Sequence, residues 1–289
     1  MTISYADLFS GCGGLSFHFQ RNKSFVPIVA IDNWESAIDA YNSNFSSKTG
    51  VVRDLSAPKE VAKTIEELKG KLDLLVGGPP CQGFSTLGKR ATDCEKSVLV
   101  DTFLSIVLGV SPKIFVMENV RGLLSKKHPN GGTYPEQIEN LISKKYNFTF
   151  FLFNSIEYSL PQTRQRYLLI GTKKAIDEDG KLLQELVLNI EMQKSKPRKT
   201  LRDAIGDLPR LEPNIGADEL KIEGRKVIYN HKALRHSDEL KTRFSHVPPG
   251  GGLLDVPEEL LTPHLRKMKN GSYGSGGHVK NIYGRMDWG

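Results

Sequence analysis

Cys81 stands directly after two prolines in "GGPPCQGFS" (77–85) and is one of three cysteines in a chain of 289 residues. Alone it has three readings: a packed structural cysteine, a metal ligand, or a nucleophile held on a rigid turn. No CxxC spacing or partner ligand accompanies it, which weakens the metal reading. A cysteine attacks as thiolate, and a turn leading into a helix or a nearby arginine would lower its pKa. Glu118 and Asn119 come next, in "MENV" (117–120), where an apolar run ends. A carboxylate there costs desolvation unless it is used, so a raised pKa and an acid role are expected. Arg164 and Arg166 in "QTRQR" (162–166) would alternate onto one face of an extended chain, suited to anion contacts. A solvated basic loop is the competing reading for these arginines. Finally, "DLFSGCGGLS" (7–16) reads as a glycine turn opening the first helix. Asp32 follows where a carboxylate could take both ribose hydroxyls of an adenosyl group, and Asp54 could take an adenine amine.

The elements that would carry these groups alternate up to about residue 172. Strand candidates are "SYADLF", "FVPIVAID", "LDLLVGG", "KIFVMENV", "FTFFLF" and "RYLLIGT", with "GVVRDL" as a further short β segment. Between them "GLSFHFQRN", "ESAIDAYNSNF", "PKEVAKTIEELKG", "SVLVDTFLSIVLGV" and "PEQIENLISKK" read as helices. Several strands are apolar nearly throughout, as strands covered on both faces are. The expectation is an α/β layer with a largely parallel sheet, binding ligands at the strands' carboxyl ends. Every chemical motif above falls at such an end. After about residue 173 the rhythm breaks. One short helix and then Gly/Pro-rich segments such as "SHVPPGGGLLDVPEEL" predict a second, smaller, loop-rich domain.

The formal net charge of +7 and pI near 9.1 make a polyanionic partner plausible, and no basic tail concentrates that charge. No apolar run is long enough to span a membrane and no secretory signal is visible. The sparse cysteines fit a reducing compartment, so an intracellular, cytoplasmic protein is expected.

Taken together, the ordered set "DLFSGCGG", the acidic strand end at Asp32, "RDL", "GGPPCQGFS", "ENV" and "QTRQR" resembles the DNA (cytosine-5)-methyltransferase family. "TLRDAIGDLP" (200–209) and "YGRMDW" (283–288) look like that family's linker and post-recognition segments. The resemblance implies a Rossmann-like S-adenosylmethionine-dependent sheet over residues 1–208 and a target-recognition domain over 209–289. It implies that Cys81 adds to C6 of a flipped-out cytosine, that Glu118 acts at N3, that Arg164 and Arg166 position O2 and phosphate, and that Asn119 holds the catalytic turn. Phe9, Gly11, Gly13, Gly14, Leu15, Asp32, Asn33, Asp54, Leu55 and Pro80 would contact S-adenosylmethionine. Ser85, Lys89, Arg90 and Gln162 would contact double-stranded DNA, and Arg225, Arg235, Arg243 and Arg266 are candidates for reading it. No metal is implied. A restriction endonuclease is expected as a functional counterpart.

Two departures qualify the match. Position 32 is Asp where the family more often has Glu. The family's later Pro-x-x-Thr-Ile-Thr, Arg-Glu…Ala-Arg-x-Gln and Gly-Asn-x-Val-Pro segments are not found. An incomplete recognition domain with exposed apolar surface is therefore expected, with either a second polypeptide supplying the remainder or a truncated sequence. Two alternatives stay open: a tRNA cytosine-5 methyltransferase, although its Cys-Phe-Thr signature is absent, and a catalytically inert DNA-binding relative.

Overall fold

Seven extended segments assemble into one sheet, most of them apolar enough to need cover on at least one face. They are β1 (Ile3–Leu8), β2 (Phe25–Asp32), β3 (Gly50–Val52), β4 (Leu74–Gly77), β5 (Ile114–Val120), β6 (Tyr146–Asn154) and β7 (Gln165–Lys173). The computed structural model describes residues 2–80, 98–194, 198–211, 215–222, 224, 227–270 and 284–286. Two compact units divide them, Met1–Lys196 and Pro197–Gly289.

In the first unit the strand order is β3-β2-β1-β4-β5-β7-β6. Pairing is parallel from β3 through β5, whereas β7 runs antiparallel to both β5 and β6. β4 is buried along its whole length, as a central strand covered on both faces must be. One face carries Ala6, Leu8, Ile31, Leu75, Phe115 and Met117, packed against the helices α3 (Pro58–Leu68), α4 (Val98–Val110) and α5 (Tyr134–Ile142). In α4, Val100, Phe103, Leu104, Ile106, Val107 and Val110 are all buried, because it lies between the sheet and neighbouring helices. Phe115 makes edge contacts with Phe103 and Tyr146 at ring separations of 6.5 and 5.1 Å. α5 starts sharply: the Glu136 N–H donates to Thr133 Oγ1, and the Thr133 N–H returns the bond to the Glu136 carboxylate. The opposite face buries Tyr5 and Val76 near α1 (Phe17–Arg21) and Ala30 against Tyr41 of α2 (Glu35–Asn44).

The helix–strand rhythm continues past residue 173, contrary to the sequence reading. α6 (Lys181–Met192) follows β7, and Leu183, Val187 and Ile190 pack on Phe151 and Ile170. Their spacing is that of one helical face, and the first turn is fixed by Asp177, whose carboxylate accepts the N–H groups of Leu182 and Leu183 at 2.9 and 3.1 Å.

The second unit holds α7 (Leu201–Ile205), a hairpin of β8 (Gly216–Leu220) and β9 (Ile228–Lys232), then α8 (Asp238–Ser245) and α9 (Pro263–Lys269). A small cluster of Val247, Leu253, Val256 and Leu261 is its core, with turns making up much of the rest, so the loop-rich expectation describes it well.

Gly171 shows how tightly the sheet and Phe115 meet: a Cβ there would lie 2.1 Å from the Phe115 ring. Gly171→Ala is therefore expected to destabilise the protein by about 1–3 kcal/mol, read as a lower denaturant midpoint. An unchanged midpoint would mean that this packing is looser than it looks.

Candidate active site

The strand order reverses between β1 and β4, and at such a point neighbouring crossovers diverge and leave a crevice at the carboxyl edge. A cleft of about 280 Å³ opens there, just below the usual range of small-molecule pockets, roughly 300–1,000 Å³. Phe9 lines it from the end of β1, and Ile31, Asp32, Asn33 and Trp34 from the end of β2. Arg53, Asp54 and Leu55 follow β3, Gly78 and Pro80 follow β4, and Leu99 reaches in from the first turn of α4. Phe9 has φ of 56°, a left-handed conformation that a bulky residue adopts only when its surroundings impose it.

Asp32 is the organising group. Its carboxylate accepts the Gly11 N–H and the Trp34 N–H, each at 2.9 Å and each on a different oxygen. Each oxygen keeps a lone pair for a ligand hydroxyl. Asp54 accepts the Ser56 N–H at 2.9 Å on one oxygen. Two anchored carboxylates between aromatic and aliphatic walls suit an adenosyl group, with hydroxyls and an exocyclic amine as donors and flat faces for Phe9, Trp34 and Leu55. The donor set thus fits S-adenosylmethionine.

Not every expected cofactor residue lines the cleft. Gly11 is tied to Asp32, but Gly13 packs inward, with φ of 90° and a hypothetical Cβ only 2.3 Å from the Phe45 ring. Its glycine identity serves that close approach. Gly14 and Leu15 lie further along the turn, where Leu15 is exposed. α1 begins only at Phe17 and is five residues long, so the glycine turn is a separate structure rather than the helix's own opening. Ile31, Trp34, Arg53, Gly78 and Leu99 are the lining residues that sequence reasoning missed. Trp34 alone carried a signal, a large aromatic two residues after the key aspartate.

Past Pro80 the chemistry-bearing groups gather on β5 and β7. Antiparallel register sets Val120 opposite Arg166 and Glu118 opposite Leu168, so Glu118 and Arg166 are diagonal neighbours on one face. Arg166 Nε and Glu118 Oε1 are 2.9 Å apart. Glu118 also faces the β4 end, where a Cβ on Gly78 would lie 3.7 Å from its Oε2. Asn119 is buried; its Nδ2 donates to the Pro79 carbonyl at 3.2 Å and its Oδ1 accepts the Val120 N–H at 2.8 Å. Cys81, Ser85, Lys89, Arg90 and Arg225 lie outside the described residues.

Arg164 lies just before β7, which begins at Gln165, and is exposed. Its main chain is paired with Ser155, while Gln162 is exposed beside it with its carbonyl accepting the Ser155 hydroxyl at 2.5 Å. In the second unit Arg243 Nε donates to the Leu260 carbonyl and Arg266 Nε to the Glu258 carbonyl, so both hold local backbone; Arg235 is exposed. Among the described residues no group of three or more His, Cys, Asp or Glu side chains gathers as a metal site, and no helix is long and apolar enough to cross a membrane.

A seven-stranded, mostly parallel sheet with a cleft at its switch point defines a Rossmann-like α/β domain. The fold agrees with a crystal structure described as a DNA modification methyltransferase encoded within an E. coli prophage: TM-score 0.64, 24% identity, covering 86% of this chain and 76% of that one. The chain belongs to the C-5 cytosine-specific DNA methylase family, whose model matches residues 3–274. Among its relatives is the Type II methyltransferase M1.HphI of Haemophilus parahaemolyticus, 32% identical over 90% of this chain and 65% of that protein. Another is the Type II methyltransferase M.DdeI of Desulfomicrobium norvegicum, 32% identical over 89% of this chain and 64% of that protein. The chain thus spans slightly under two thirds of the length of these relatives.

On β1 beside the cleft, Asp7 is wholly buried, and among the described residues neither carboxylate oxygen finds a hydrogen-bond partner. Burial raises its pKa to about 7, and the charge of Asp32 pushes the same way. Because the folded-state pKa lies above the unfolded one, this group's contribution to stability is full in acid and is lost as pH rises through about 7. Asp7→Asn removes the titration. The variant is expected to exceed the wild type in denaturant midpoint at about pH 8, with the gap narrowing toward about pH 4. A gap independent of pH would refute a titrating Asp7.

Proposed function

We propose that the protein transfers the methyl group of S-adenosylmethionine to C5 of a cytosine in double-stranded DNA, as the modification enzyme paired with a restriction endonuclease in the cytoplasm. One observation carries this reading. The adenosyl-type cleft and the Glu118–Arg166 pair flank the same short turn, Gly78–Pro80, and that turn leads directly into Cys81. Membership in the family and the Type II methyltransferase names of its relatives support the same conclusion.

When bound, S-adenosylmethionine supplies an electrophilic sulfonium methyl. Asp32 takes the ribose hydroxyls and Asp54 the adenine amine. Phe9, Trp34, Leu55 and Leu99 exclude water from the ring, and Asn33, Pro80 and the turn at Gly11 complete the surroundings. Cytosine C5 is a poor nucleophile, so Cys81 adds as thiolate to C6 and makes C5 electron-rich. Glu118, in its acid form, hydrogen-bonds N3 and draws electrons toward the ring's polar edge. Arg166 holds Glu118 in place and reaches O2. Asn119 fixes the turn that presents Cys81. Loss of the C5 proton and departure of the Cys81 sulfur restore the ring. The base must leave the stacked duplex for this to happen. Ser85, Lys89, Arg90, Gln162 and Arg164 contact the DNA, while the second unit reads its sequence. The relatives give no support for the second polypeptide expected from the sequence.

The test is transfer of tritium from labelled S-adenosylmethionine, with duplex DNA and tRNA offered in parallel. Label is expected in DNA, abolished by Cys81→Ser and lowered by about 10²–10⁴-fold by Glu118→Gln. With 5-fluorocytosine DNA a covalent adduct is expected on Cys81. Label confined to tRNA would overturn the DNA assignment, and none in either would favour an inert binding protein.

A further inference from the structure

Arg53 lines the cleft, yet its guanidinium is turned away from any plain surface role. The side chain is only 8% exposed, and Nη1 donates to Thr64 Oγ1 and to Glu67 Oε2, both at 2.8 Å. Nε lies 3.6 Å from Glu60 Oε2. Glu60, Thr64 and Glu67 recur at i, i+4 and i+7 along one face of α3, so the fork grips that helix at three points. The Thr64 hydroxyl is itself fixed, donating to the Glu60 carbonyl at 2.7 Å. The grip also holds the Glu67 carboxyl below its usual range.

The main chain of Arg53 is held as firmly. Its N–H donates to the Asp32 carbonyl at 2.9 Å, one residue beyond the last register pair of β2 and β3, Asp32 with Val52. The next residue is Asp54, whose carboxylate and carbonyl accept the N–H groups of Ser56 and Ala57 just ahead of α3. One residue therefore touches the backbone of the first cleft carboxylate, precedes the second, and is anchored to the helix beyond both. Burying a cation against glutamates is a poor way to gain stability, because well-packed apolar residues do as well or better. A planar fork does fix direction as well as distance.

We infer that Arg53 is a positioning residue that sets the separation of Asp32 and Asp54, and with it the preference for an intact adenosyl group. This rests on the adenosyl reading of the cleft. Removing the fork should let the turn carrying Asp54 shift relative to Asp32, so that the two carboxylates no longer engage ribose and adenine together.

The experiment measures, by calorimetry on the full-length protein, the affinities of S-adenosylhomocysteine, its 2′-deoxyribose analogue and its hypoxanthine analogue. For Arg53→Met we expect S-adenosylhomocysteine to weaken about tenfold, and its preference over the two analogues to shrink by a similar factor. Arg53→Lys should recover part of both. A purely structural arginine would lower the melting temperature and leave the preference intact, and that result overturns the inference. Should Arg53→Met fail to fold, Glu67→Gln loosens the grip more gently; a preference identical to wild type in that variant overturns it equally. If the wild type binds none of the three ligands, the adenosyl reading itself fails and takes this inference with it.

Discussion

The carboxylate of Asp32 is where the two halves of the cofactor cleft are tied together. Its two oxygens accept one backbone N–H from the glycine turn after β1 and one from the turn after β2. Neither turn can move without breaking a charge-assisted bond, which is roughly twice as strong as a neutral one. The same anion remains open to hydroxyl donors. Structure and binding are served by one group, so its replacement would disturb both together. Glutamate could reach further into the cleft, but its carboxylate would sit one methylene away from both N–H groups. Aspartate at this position suits turns that close tightly around it.

The chemical half depends on a different constraint, the reversed direction of β7. Were β7 parallel, its start would lie at the amino edge of the sheet, far from Glu118. Running antiparallel, it brings the segment before it to the carboxyl edge and sets Arg166 diagonally across from Glu118. Of the two arginines in "QTRQR", Arg166 lies on β7 and Arg164 just before it, its backbone paired with Ser155. Glu118 was read as a carboxylate ending an apolar strand, and in the structure it meets the Arg166 guanidinium.

Much of the sheet was legible because its strands are apolar runs bounded by glycine, proline or charge. β2 and β5 fall where the hydrophobic pattern puts them, and with them the strand ends that carry Asp32, Glu118 and Asn119; "QTRQR" reaches the same edge only through the reversed β7. α6 was not foreseen. Its face of Leu183, Val187 and Ile190 has helical spacing, but it follows a polar turn where the alternation seemed finished, and only contact with Phe151 and Ile170 gives that face a purpose. Arg53 was invisible for a related reason. Beside Asp54 it reads as a solvated charge, and its role depends on Thr64 and Glu67, partners 11 and 14 residues away whose helical phase must be known first. Leu99 reaches the cleft solely because α4 starts where it does. Local pattern reveals what an element is; it does not reveal which of its residues the neighbours will face.

Among the described residues the two halves adjoin at the turn Gly78–Pro80, and two hydrogen bonds hold that turn. The Gly78 N–H donates to the Leu8 carbonyl at 3.2 Å, joining the turn to β1. Asn119 Nδ2 donates to the Pro79 carbonyl, joining it to β5. Two successive prolines leave the turn no N–H of its own at those positions, so a carbonyl is all it can offer. A buried partner must therefore donate there while accepting the Val120 N–H on its other atom. Aspartate would set a carboxylate against a carbonyl oxygen, and a hydroxyl would be too short for both bonds. Asparagine satisfies both, which ties its identity to the prolines and makes the placement of whatever follows Pro80 a property of β5 as much as of β4.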